Sequence, residues 1–380
     1  MDLVEQLRAA LPVMLSDLES LVRCESPSDD LEAVKRSADV VARLGTDRLG
    51  STPEYVVLDG RTHLRWRLGD GPSRVLVLGH HDTVWPIGSL ATHPFGIKDG
   101  VLRGPGCFDM KAGLVMAFHA IAALPDRTGV TLLVTGDEEL GSPSSRELIE
   151  EEATGCVAAL VLEASADEGA LKLERKGVSN YQLNIRGRAA HAGLEPELGV
   201  NASIEVAHQI LAVSNLGGPE RGTTVTPTAL TSGTTRNTVP AAGSFLIDVR
   251  VRDAGEQERV DAAMHALRPV LDGAELELIG GPNRPPFERK ASEALYQRAS
   301  ELAAKLGLEP LRETAVGGAS DGNFTAGIGT PTLDGLGAVG GGAHADHEHV
   351  LVAELAPRTA LLTALVADLL AEPPPSAGRP

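Results

Sequence analysis

Histidine and carboxylate side chains recur in this sequence directly after short apolar runs and in glycine-rich segments. The segments that carry them read GHHDT, FDMKAG, TGDEE, LEAS and GGAHADHEH. They supply the following candidate donors: His80, His81, Asp82, Asp109, Asp137, Glu138, Glu139, Glu163 and His344, with His347 and His349 as alternatives to His344. Imidazole and carboxylate groups without cysteine suit zinc, manganese or cobalt at a hydrolytic site. The pattern therefore predicts a metal site with enough donors for two ions that share a carboxylate.

The spacing within two of these segments indicates further roles. His80 and Asp82 lie two residues apart, so on an extended segment they share a face, and Asp82 can accept a hydrogen bond from the imidazole. Adjacent Glu138 and Glu139 can point to different sides at a strand end. One can then bind metal while the other takes a proton from water, because a metal lowers the pKa of bound water towards neutrality. An HxD or a DEE alone is usually part of a solvated loop, so the coincidence of all the segments carries the prediction.

The elements that must position these groups are those of an α/β fold. The runs Arg74–Leu78, Val130–Thr135 and Ala158–Leu162 are rich in β-forming residues, and helical stretches alternate with them. This alternation predicts a mixed, mostly parallel sheet. Ligands of such open sheets gather at the carboxyl ends of the strands, which is where the candidate donors fall.

A different pattern begins near Ser179. The segments YQLNIRG and SFLIDVRV alternate with period two, and helical stretches near Asn201–Leu211 and Gln257–Leu271 accompany them. We expect a small α+β domain, inserted over residues 177–288.

The chain is then expected to return to the first domain. Gly280–Pro286 is rich in Gly and Pro, which is typical of a linker, and Ala291–Leu306 has helical spacing. Residues 1–176 and 289–380 would together form one discontinuous metal-binding domain. The segment after Ala371, EPPPSAGRP, is expected to fray.

Composition excludes several classes of function. Of the residues, 42% are apolar and 23% charged, which is ordinary for a packed protein. The 34 Lys and Arg residues against 52 Asp and Glu residues give a net charge of −18, the wrong sign for binding nucleic acid or an anionic membrane. Three cysteines without CxxC spacing imply neither a disulfide framework nor a zinc knuckle. Without a recognisable signal peptide or membrane span, a cytoplasmic location is expected.

The order of the segments is itself distinctive. The series GHHDTV, GPGCFDMKAG, TGDEE, LEAS, RGRAAHAG, TTRNTVPA and GGGAHADHE resembles the aminoacylase and glutamate carboxypeptidase family of dinuclear zinc hydrolases, and especially its glucarpidase-like branch. The match extends from about Ser26 to Val350. The resemblance implies a zinc-exopeptidase-like catalytic domain with an inserted lid and dimerisation domain, and a homodimer formed through that lid.

The resemblance also implies a role for each donor. His80 and Glu163 match ligands of one metal, and Glu139 and His344 match ligands of the second. Asp109 matches the carboxylate that bridges the two metals. Two divalent ions are thus implied, Zn²⁺ first, with Co²⁺ or Mn²⁺ as alternatives.

Three more features of this region match the family. Glu138 matches the general base, and Asp82 matches the carboxylate behind the histidine ligand. The Asp109–Met110 peptide bond corresponds to one that is cis in the family.

Residues of the insert match groups that meet the substrate. His191 corresponds to a histidine that reaches a neighbouring protomer's site and polarises the scissile carbonyl, and Asn237 to another lid residue near the substrate. Arg250 matches a guanidinium that holds the substrate's free carboxylate, a task suited to its bidentate fork. Gly318 and Ser320 resemble a loop that lines the substrate pocket. The residues by themselves also allow a surface His191, a turn-forming Asn237, a salt-bridged Arg250 and a purely structural loop.

One departure concerns the substrate. Glutamate-specific relatives place a lysine shortly after the residue that corresponds to Glu163. Here the stretch reads ASADEGALKLERKG and is one residue shorter, so Lys172, Arg175 or Lys176 would have to replace that lysine by a different route.

We therefore expect a dinuclear metal hydrolase that cleaves the amide bond of an N-acyl amino acid or C-terminal residue, as glutamate carboxypeptidases do. The same site also allows an N-acyl amino acid deacylase, a dipeptidase or a ureido amidohydrolase. A non-catalytic small-molecule-binding dimer is a remote alternative, because every donor position and the base are filled.

Overall fold

The computed structural model describes residues 2–372. Within this range the α-helices are α1 (Leu3–Val22), α2 (Leu31–Leu49), α3 (Ala112–Ala122), α4 (Arg146–Ala153), α5 (Ala202–Ser214), α6 (Ala254–His265), α7 (Glu293–Lys305), α8 (Gly322–Gly327) and α9 (Val352–Ala371). The strands are β1 (Glu54–Leu58), β2 (Arg61–Leu68), β3 (Val75–His80), β4 (Gly96–Lys98), β5 (Val101–Arg103), β6 (Val130–Thr135), β7 (Ala158–Val161), β8 (Leu171–Arg175), β9 (Gly177–Arg186), β10 (Ala190–His191), β11 (Thr224–Ser232), β12 (Thr238–Val239), β13 (Ala242–Val251), β14 (Glu275–Arg284), β15 (Glu313–Val316), β16 (Thr332–Leu333), β17 (Gly340–Gly341) and β18 (His349–Leu351).

The chain divides into two compact units. The first unit contains the described chain up to Glu174, the segment Glu288–Val316 and the described chain from Ser320 onwards. The second unit contains Arg175–Phe287 and Gly317–Ala319. The catalytic and lid roles expected for these two parts of the chain stay predictions.

The first unit is built on a six-stranded sheet with the order β1-β2-β6-β3-β7-β16. Strands β6, β3, β7 and β16 pair in parallel, whereas β1 with β2 and β2 with β6 pair antiparallel. The predicted mixed, mostly parallel sheet is therefore confirmed, and the three apolar runs read from the sequence form β3, β6 and β7.

Both faces of this sheet are covered. Val75 and Val77 of β3 belong to a core that includes residues of α1, α2, α3 and α9. Leu76 and Leu78 point to the other face, into a second core with Leu148 of α4. Because both faces are buried, the strands are continuous apolar runs rather than alternating ones, as parallel strands usually are.

The second unit is an inserted α+β unit, as expected. Its antiparallel sheet has the order β11-β13-β9-β14, and α5 and α6 pack against it. The sequence placed the second helix at Gln257–Leu271, but α6 spans Ala254–His265. Pro269 explains the earlier end, because a proline disfavours helical backbone at the residue before it and supplies no N–H.

The prediction of a linker at Gly280–Pro286 was wrong for most of its length. Residues up to Arg284 belong to β14, which pairs with β9 at the edge of the sheet. Pro282 is tolerated there because an edge strand can leave one side unpaired. Gly280 has φ +96°, and a Cβ at this position would lie 2.1 Å from the Asn180 carbonyl oxygen. Gly280 and Pro282 are therefore residues of an edge strand rather than of a linker.

Other expectations concern the ends of the chain. The expected helix at Ala291–Leu306 is present as α7. Among the described residues, no helix is both long and apolar enough to cross a membrane. The expected fraying after Ala371 concerns residues that, apart from Glu372, lie outside the described range.

Candidate metal centre

The carboxyl ends of three parallel strands bring the first donors to one edge of the sheet. His80 is the last residue of β3 and lies opposite Thr135, the last residue of β6. Glu138 begins a short 3₁₀ turn just beyond β6, and Glu163 follows β7 by two residues. Parallel pairing therefore places the three side chains at the same edge, where ligands of open α/β sheets collect.

Asp109 stands between two histidines. Its Oδ1 lies 3.4 Å from Nε2 of His80, which is also 3.6 Å from Oε1 of Glu163. Its Oδ2 lies 3.2 Å from Nε2 of His344, which is also 3.2 Å from Oε1 of Glu139. Each carboxylate oxygen of Asp109 thus faces a different imidazole, and each imidazole faces a further carboxylate.

The arrangement fits divalent cations. Donor atoms of His80, Glu138 and Glu163 lie within 4.8 Å of one another, and so do those of His80, Asp109 and Glu139. His80 Nε2 is buried and makes no hydrogen bond within the described residues. A buried imidazole nitrogen that faces only carboxylate oxygens is a metal-ligand environment, because a cation satisfies all of these acceptors together.

The pKa shifts of the two histidines also indicate a site that favours positive charge. Burial favours a lower pKa for His80, but the carboxylates of Asp109, Asp82 and Glu163 outweigh it and hold that pKa well above its usual value. Asp109 and Glu139 raise the pKa of His344 to about 10, against the effect of burial. Without metal the surrounding carboxylates therefore favour the protonated form of both imidazoles. Metal binding must displace these protons, so the affinity for metal is expected to rise with pH.

The pKa values of the two central carboxylates, Asp109 and Glu139, are shifted in opposite directions. Burial favours a higher pKa for Asp109, but His344 and His80 outweigh it and lower that pKa. The pKa of Glu139 is raised, mainly by burial and also by the charge of Asp109. The contrast follows from position, because Asp109 has an imidazole on each side.

Asp82 holds the two sides of this site together. Its buried carboxylate accepts the main-chain N–H groups of Glu138 at 3.3 Å and Glu139 at 3.2 Å. Its Oδ1 is 3.4 Å from Nδ1 of His80, and its main-chain oxygen is 3.0 Å from the same nitrogen. With two acceptors near Nδ1, the proton of the neutral imidazole belongs on Nδ1, which leaves Nε2 for a metal.

Comparison with known proteins decides the family. Residues 76–368 match the Peptidase family M20/M25/M40. The chain belongs to this family. It is therefore a metal-dependent peptidase or amidohydrolase, which confirms the resemblance read from the motifs.

Individual relatives agree with this assignment. Carboxypeptidase G2 of Pseudomonas sp. (strain RS-16) is 31% identical over 379 residues, covering 94% of this chain and 89% of that protein. Succinyl-diaminopimelate desuccinylase of Thioalkalivibrio sulfidiphilus is 27% identical, covering 85% of this chain and 91% of that protein. The M20 family metallo-carboxypeptidase Sso-CP2 from Sulfolobus solfataricus superposes with a TM-score of 0.75 at 17% identity, covering 93% and 98% of the two chains.

The turn that carries Glu138 in this M20 chain has supports that the sequence did not reveal. Asp137 accepts hydrogen bonds from the main chain and hydroxyl of Ser144, at 2.8 and 2.6 Å. It also accepts the hydroxyl of Ser145 at 2.5 Å. The buried ring of His63 lies 3.2 Å from the Ser144 hydroxyl. The only available signal was the run of hydroxyl residues in GSPSSR after TGDEE, and such runs are common in ordinary turns.

Two residues expected to meet substrate lie together in the second unit. His191 ends β10, which pairs with β12 just beyond Asn237. The main-chain oxygen of Asn237 accepts the Ala192 N–H at 2.9 Å. The exposed ring of His191 accepts the Gly193 N–H on Nδ1 at 3.1 Å. In the neutral ring the proton is therefore on Nε2, which can donate to an acceptor outside the unit.

Arg250 lies on β13 and pairs with Asp248, two residues before it on the same face. Its Nε and Nη2 each lie 2.9 Å from a carboxylate oxygen of Asp248. The salt-bridged state that the residues allowed is thus present. Burial lowers the pKa of Lys176, and the positive charges of Arg252 and Arg250 lower it further. Arg250 therefore belongs to a group of basic side chains, despite its acidic partner.

The loop expected to line the substrate pocket has an exposed residue, Gly318, and a buried one, Ser320. Ser320 is fully buried, and its hydroxyl donates to Asp334 Oδ2 at 2.6 Å. The Gly318 carbonyl accepts Nη1 of Arg175 at 3.1 Å. The substrate-lining role expected for Gly318 and Ser320 stays a prediction.

In the histidine segment near the carboxyl terminus, His344, with φ +62°, is the residue that reaches Asp109 and Glu139. His349 Nδ1 lies 3.0 Å from the His347 carbonyl oxygen. The ligand role expected for His344 stays a prediction. The Asp109–Met110 peptide bond is cis, as the resemblance implied.

Proposed function

We propose that this enzyme hydrolyses the amide bond of an N-acyl amino acid or C-terminal residue at a site for two divalent ions. The observation that carries the proposal is Asp109, whose two oxygens face two histidines. His80 and Glu163 would hold one ion, His344 and Glu139 the other, and Asp109 both. We propose Zn²⁺, with Co²⁺ or Mn²⁺ as alternatives, because imidazole and carboxylate accept all three.

The ions, when bound, supply Lewis acidity, which activates water and polarises the amide carbonyl. The protein must then move a proton, and we assign this task to Glu138. Its carboxylate is 7% exposed and lies within 4.8 Å of donor atoms of His80 and Glu163. A carboxylate oxygen of Glu138 accepts the proton of the attacking water and delivers it to the leaving nitrogen. Asp82 acts by holding the Glu138 main chain and the His80 ring in place.

His191 completes the proposed site from a second copy of the chain. Its Nε2–H can donate to the carbonyl oxygen as negative charge develops there. Exposed apolar side chains in the second unit support a homodimer. Ile204 and Leu211, seven residues apart on α5, are 48% and 66% exposed, and Leu230 on β11 is 53% exposed. Such a surface favours association with another protein surface.

Arg250 is proposed to anchor the free carboxylate of the substrate, with Asn237 near the substrate beside His191. A guanidinium carries five N–H donors, and the Asp248 pair uses two of its nitrogens. The neighbouring Lys176 and Arg252 add positive potential, which favours an anionic substrate.

The substrate we favour carries a C-terminal amino acid, such as an N-acyl glutamate, because carboxypeptidase G2 is 31% identical over nearly the whole chain. The second candidate is removal of an acyl group from an N-acyl amino acid, which the succinyl-diaminopimelate desuccinylase relative supports.

A substrate panel tests the proposal. Metal-free protein and samples loaded with Zn²⁺, Co²⁺ or Mn²⁺ would be offered folate-type and benzoyl glutamates, other N-acyl amino acids, N-succinyl amino acids and dipeptides. Metal-dependent release of glutamate above all other products would support the carboxypeptidase assignment. Preferred release of succinate or of another amino acid would support the deacylase or dipeptidase alternative. No hydrolysis by metal-loaded protein would contradict amide hydrolysis of these substrates.

A further inference from the structure

One buried carboxylate beside the metal centre is not a metal donor in the arrangement above. Glu348 is 3% exposed, and both of its oxygens are occupied by neutral N–H groups. Its Oε1 accepts the main-chain N–H of Phe108 at 2.8 Å and of Asp109 at 3.0 Å. Its Oε2 accepts the main-chain N–H of Gly106 at 3.0 Å and Nε1 of Trp85 at 2.6 Å.

Three of these donors belong to the irregular turn that presents Asp109. Gly106 has φ +69°, and Asp109 lacks helical backbone angles within the segment Cys107–Lys111. Neither a regular helix nor a strand ladder is available to accept these N–H groups. Unpaired buried N–H groups are costly, so the carboxylate of Glu348 stabilises the conformation of this turn.

Glu348 is also tied to the segment that carries His344. Its main-chain N–H donates to the Ala345 carbonyl at 2.9 Å, and β18 begins at the next residue and pairs with β5. Glu348 therefore connects the turn of Asp109 to the loop of His344. In this arrangement Oδ2 of Asp109 lies 3.2 Å from Nε2 of His344.

We propose that Glu348 is a positioning residue for the metal centre. By accepting the Asp109 N–H and its neighbours, it holds the main chain of this residue so that the two side-chain oxygens keep facing the two metal positions. A carboxylate suits the task because it only accepts hydrogen bonds. A glutamine of the same shape would turn its NH₂ group towards N–H donors and lose those bonds. The inference rests on the proposed function, in which Asp109 bridges two ions.

The test compares the full-length wild type with E348Q, both reconstituted with Co²⁺. Affinity is measured by competition with a chelator, and the geometry of the site by the visible absorption spectrum of bound Co²⁺. We expect E348Q to bind Co²⁺ about 10–100-fold more weakly, the usual effect of losing a group that supports a ligand. Its cobalt spectrum should change, and at saturating Co²⁺ kcat should fall while KM stays close to the wild-type value.

A matched control is available in the second unit. Glu205 is fully buried and accepts the main-chain N–H groups of Val270 at 3.0 Å and Leu271 at 2.7 Å. E205Q removes a comparable set of hydrogen bonds without touching a metal donor. It should lower the thermal stability of the protein but leave the affinity for Co²⁺ and the cobalt spectrum unchanged.

The outcomes separate this inference from the proposed function. Wild-type protein that binds Co²⁺, together with E348Q of equal affinity and identical spectrum, would overturn the role of Glu348 alone. Wild-type protein that binds no Co²⁺ would overturn the metal site and with it this inference. If E348Q does not fold, W85F removes a single donor and keeps the carboxylate. It should weaken Co²⁺ binding by a smaller factor and alter the spectrum, and wild-type behaviour of W85F would then count against the inference.

Discussion

The residues proposed to handle metal and those proposed to handle substrate differ in how the fold holds them. In the first unit, His80 and Asp82 are almost fully buried, and hydrogen bonds from main-chain N–H groups fix the carboxylate. In the second unit, His191 lies exposed on a short two-stranded ladder, and Asn237 lies exposed in the turn just before its second strand. Arg250 is half-buried and already paired with Asp248.

The difference follows from the cost of assembling like charges. Several carboxylates in one buried cluster repel each other and lose hydration, so each must be held by hydrogen bonds and by a cation. Single side chains on a surface carry no such cost. They are free to meet a substrate, but the fold does little to fix their direction. Under the proposed function, the buried region sets the chemistry, and the exposed region is where specificity can change.

The largest expected effect is at Glu138. Glu138→Ala should lower kcat by about 10²–10⁴-fold, because the variant lacks the carboxylate that is proposed to accept the proton of the attacking water. Bound metal should remain, since the proposed ligands are untouched, and metal analysis of the purified protein measures this. Exposed Glu147 of α4 gives the control, and E147A should retain wild-type kcat. Turnover within tenfold of wild type in E138A would remove the base assignment.

The next effect tests whether the exposed histidine serves another copy. H191A should lose about 10²–10³-fold in kcat, as for loss of one donor to a developing oxyanion. If His191 acts in a partner's site, E138A and H191A mixed under conditions of subunit exchange should recover about a quarter of wild-type activity. Mixing E138A with H80A should recover none, because every site then lacks a residue of the first unit. If neither mixture recovers activity, His191 does not act in the partner's site.

A smaller effect is expected at Arg250. R250A should raise KM about 10–100-fold for substrates with a free carboxylate, since a hydrogen bond to a charged group contributes about 1.5–3 kcal/mol. KM for the corresponding amides should change little. R186A, which removes an exposed cation on β9 with no proposed part in substrate binding, is the control and should leave both KM values unchanged. Steady-state kinetics on acid and amide pairs decide the matter, and an equal loss on both would argue against an anchor.

The smallest effect concerns a buried ionic group of the first unit that includes no metal donor. Asp17 accepts Arg48 at 2.7 Å through both oxygens and His119 at 2.9 Å. Burial opposes ionisation, but these partners outweigh it and lower the pKa of Asp17. D17N should cost about 1–3 kcal/mol of unfolding free energy at neutral pH. The measurement is urea unfolding from pH 7 downwards.

The pH dependence of that cost has a definite sign. The folded-state pKa of Asp17 is depressed, so its stabilisation is fully present above the unfolded-state value of about 4. It is lost as the pH falls through the folded-state pKa. The gap between wild type and D17N should therefore close in acid. A gap that stays constant down to pH 3 would mean that the ionised carboxylate contributes nothing.

Much of the fold was predictable from local pattern. Buried runs of Val and Leu identified β3, β6 and β7, and period-two alternation identified β9 and β13. The misplaced linker at Gly280–Pro286 shows the limit of this reasoning. Gly and Pro have the same local preferences in a loop as in an edge strand, and only pairing with β9 distinguishes the two. The early end of α6 was within reach, because Pro269 is visible in the sequence.

The grouping of three candidate site residues was predictable for a related reason. His80, Glu138 and Glu163 lie at or just beyond the ends of three strands, and parallel pairing must bring such positions to a single edge. The sequence by itself thus determined the residue types at this edge of the sheet. The order of its segments carried the resemblance to the family, which the comparison confirmed.

Only the tertiary structure decided which groups support that site. It placed His344 beside Asp109 and Glu139, turned the Ser320 hydroxyl towards Asp334, and set Glu348 against the main chain of Asp109. These contacts join residues that are far apart in the chain, and they depend on backbone direction in irregular loops. No local pattern encodes that direction, because it is settled by packing and by the need to pair every buried polar group.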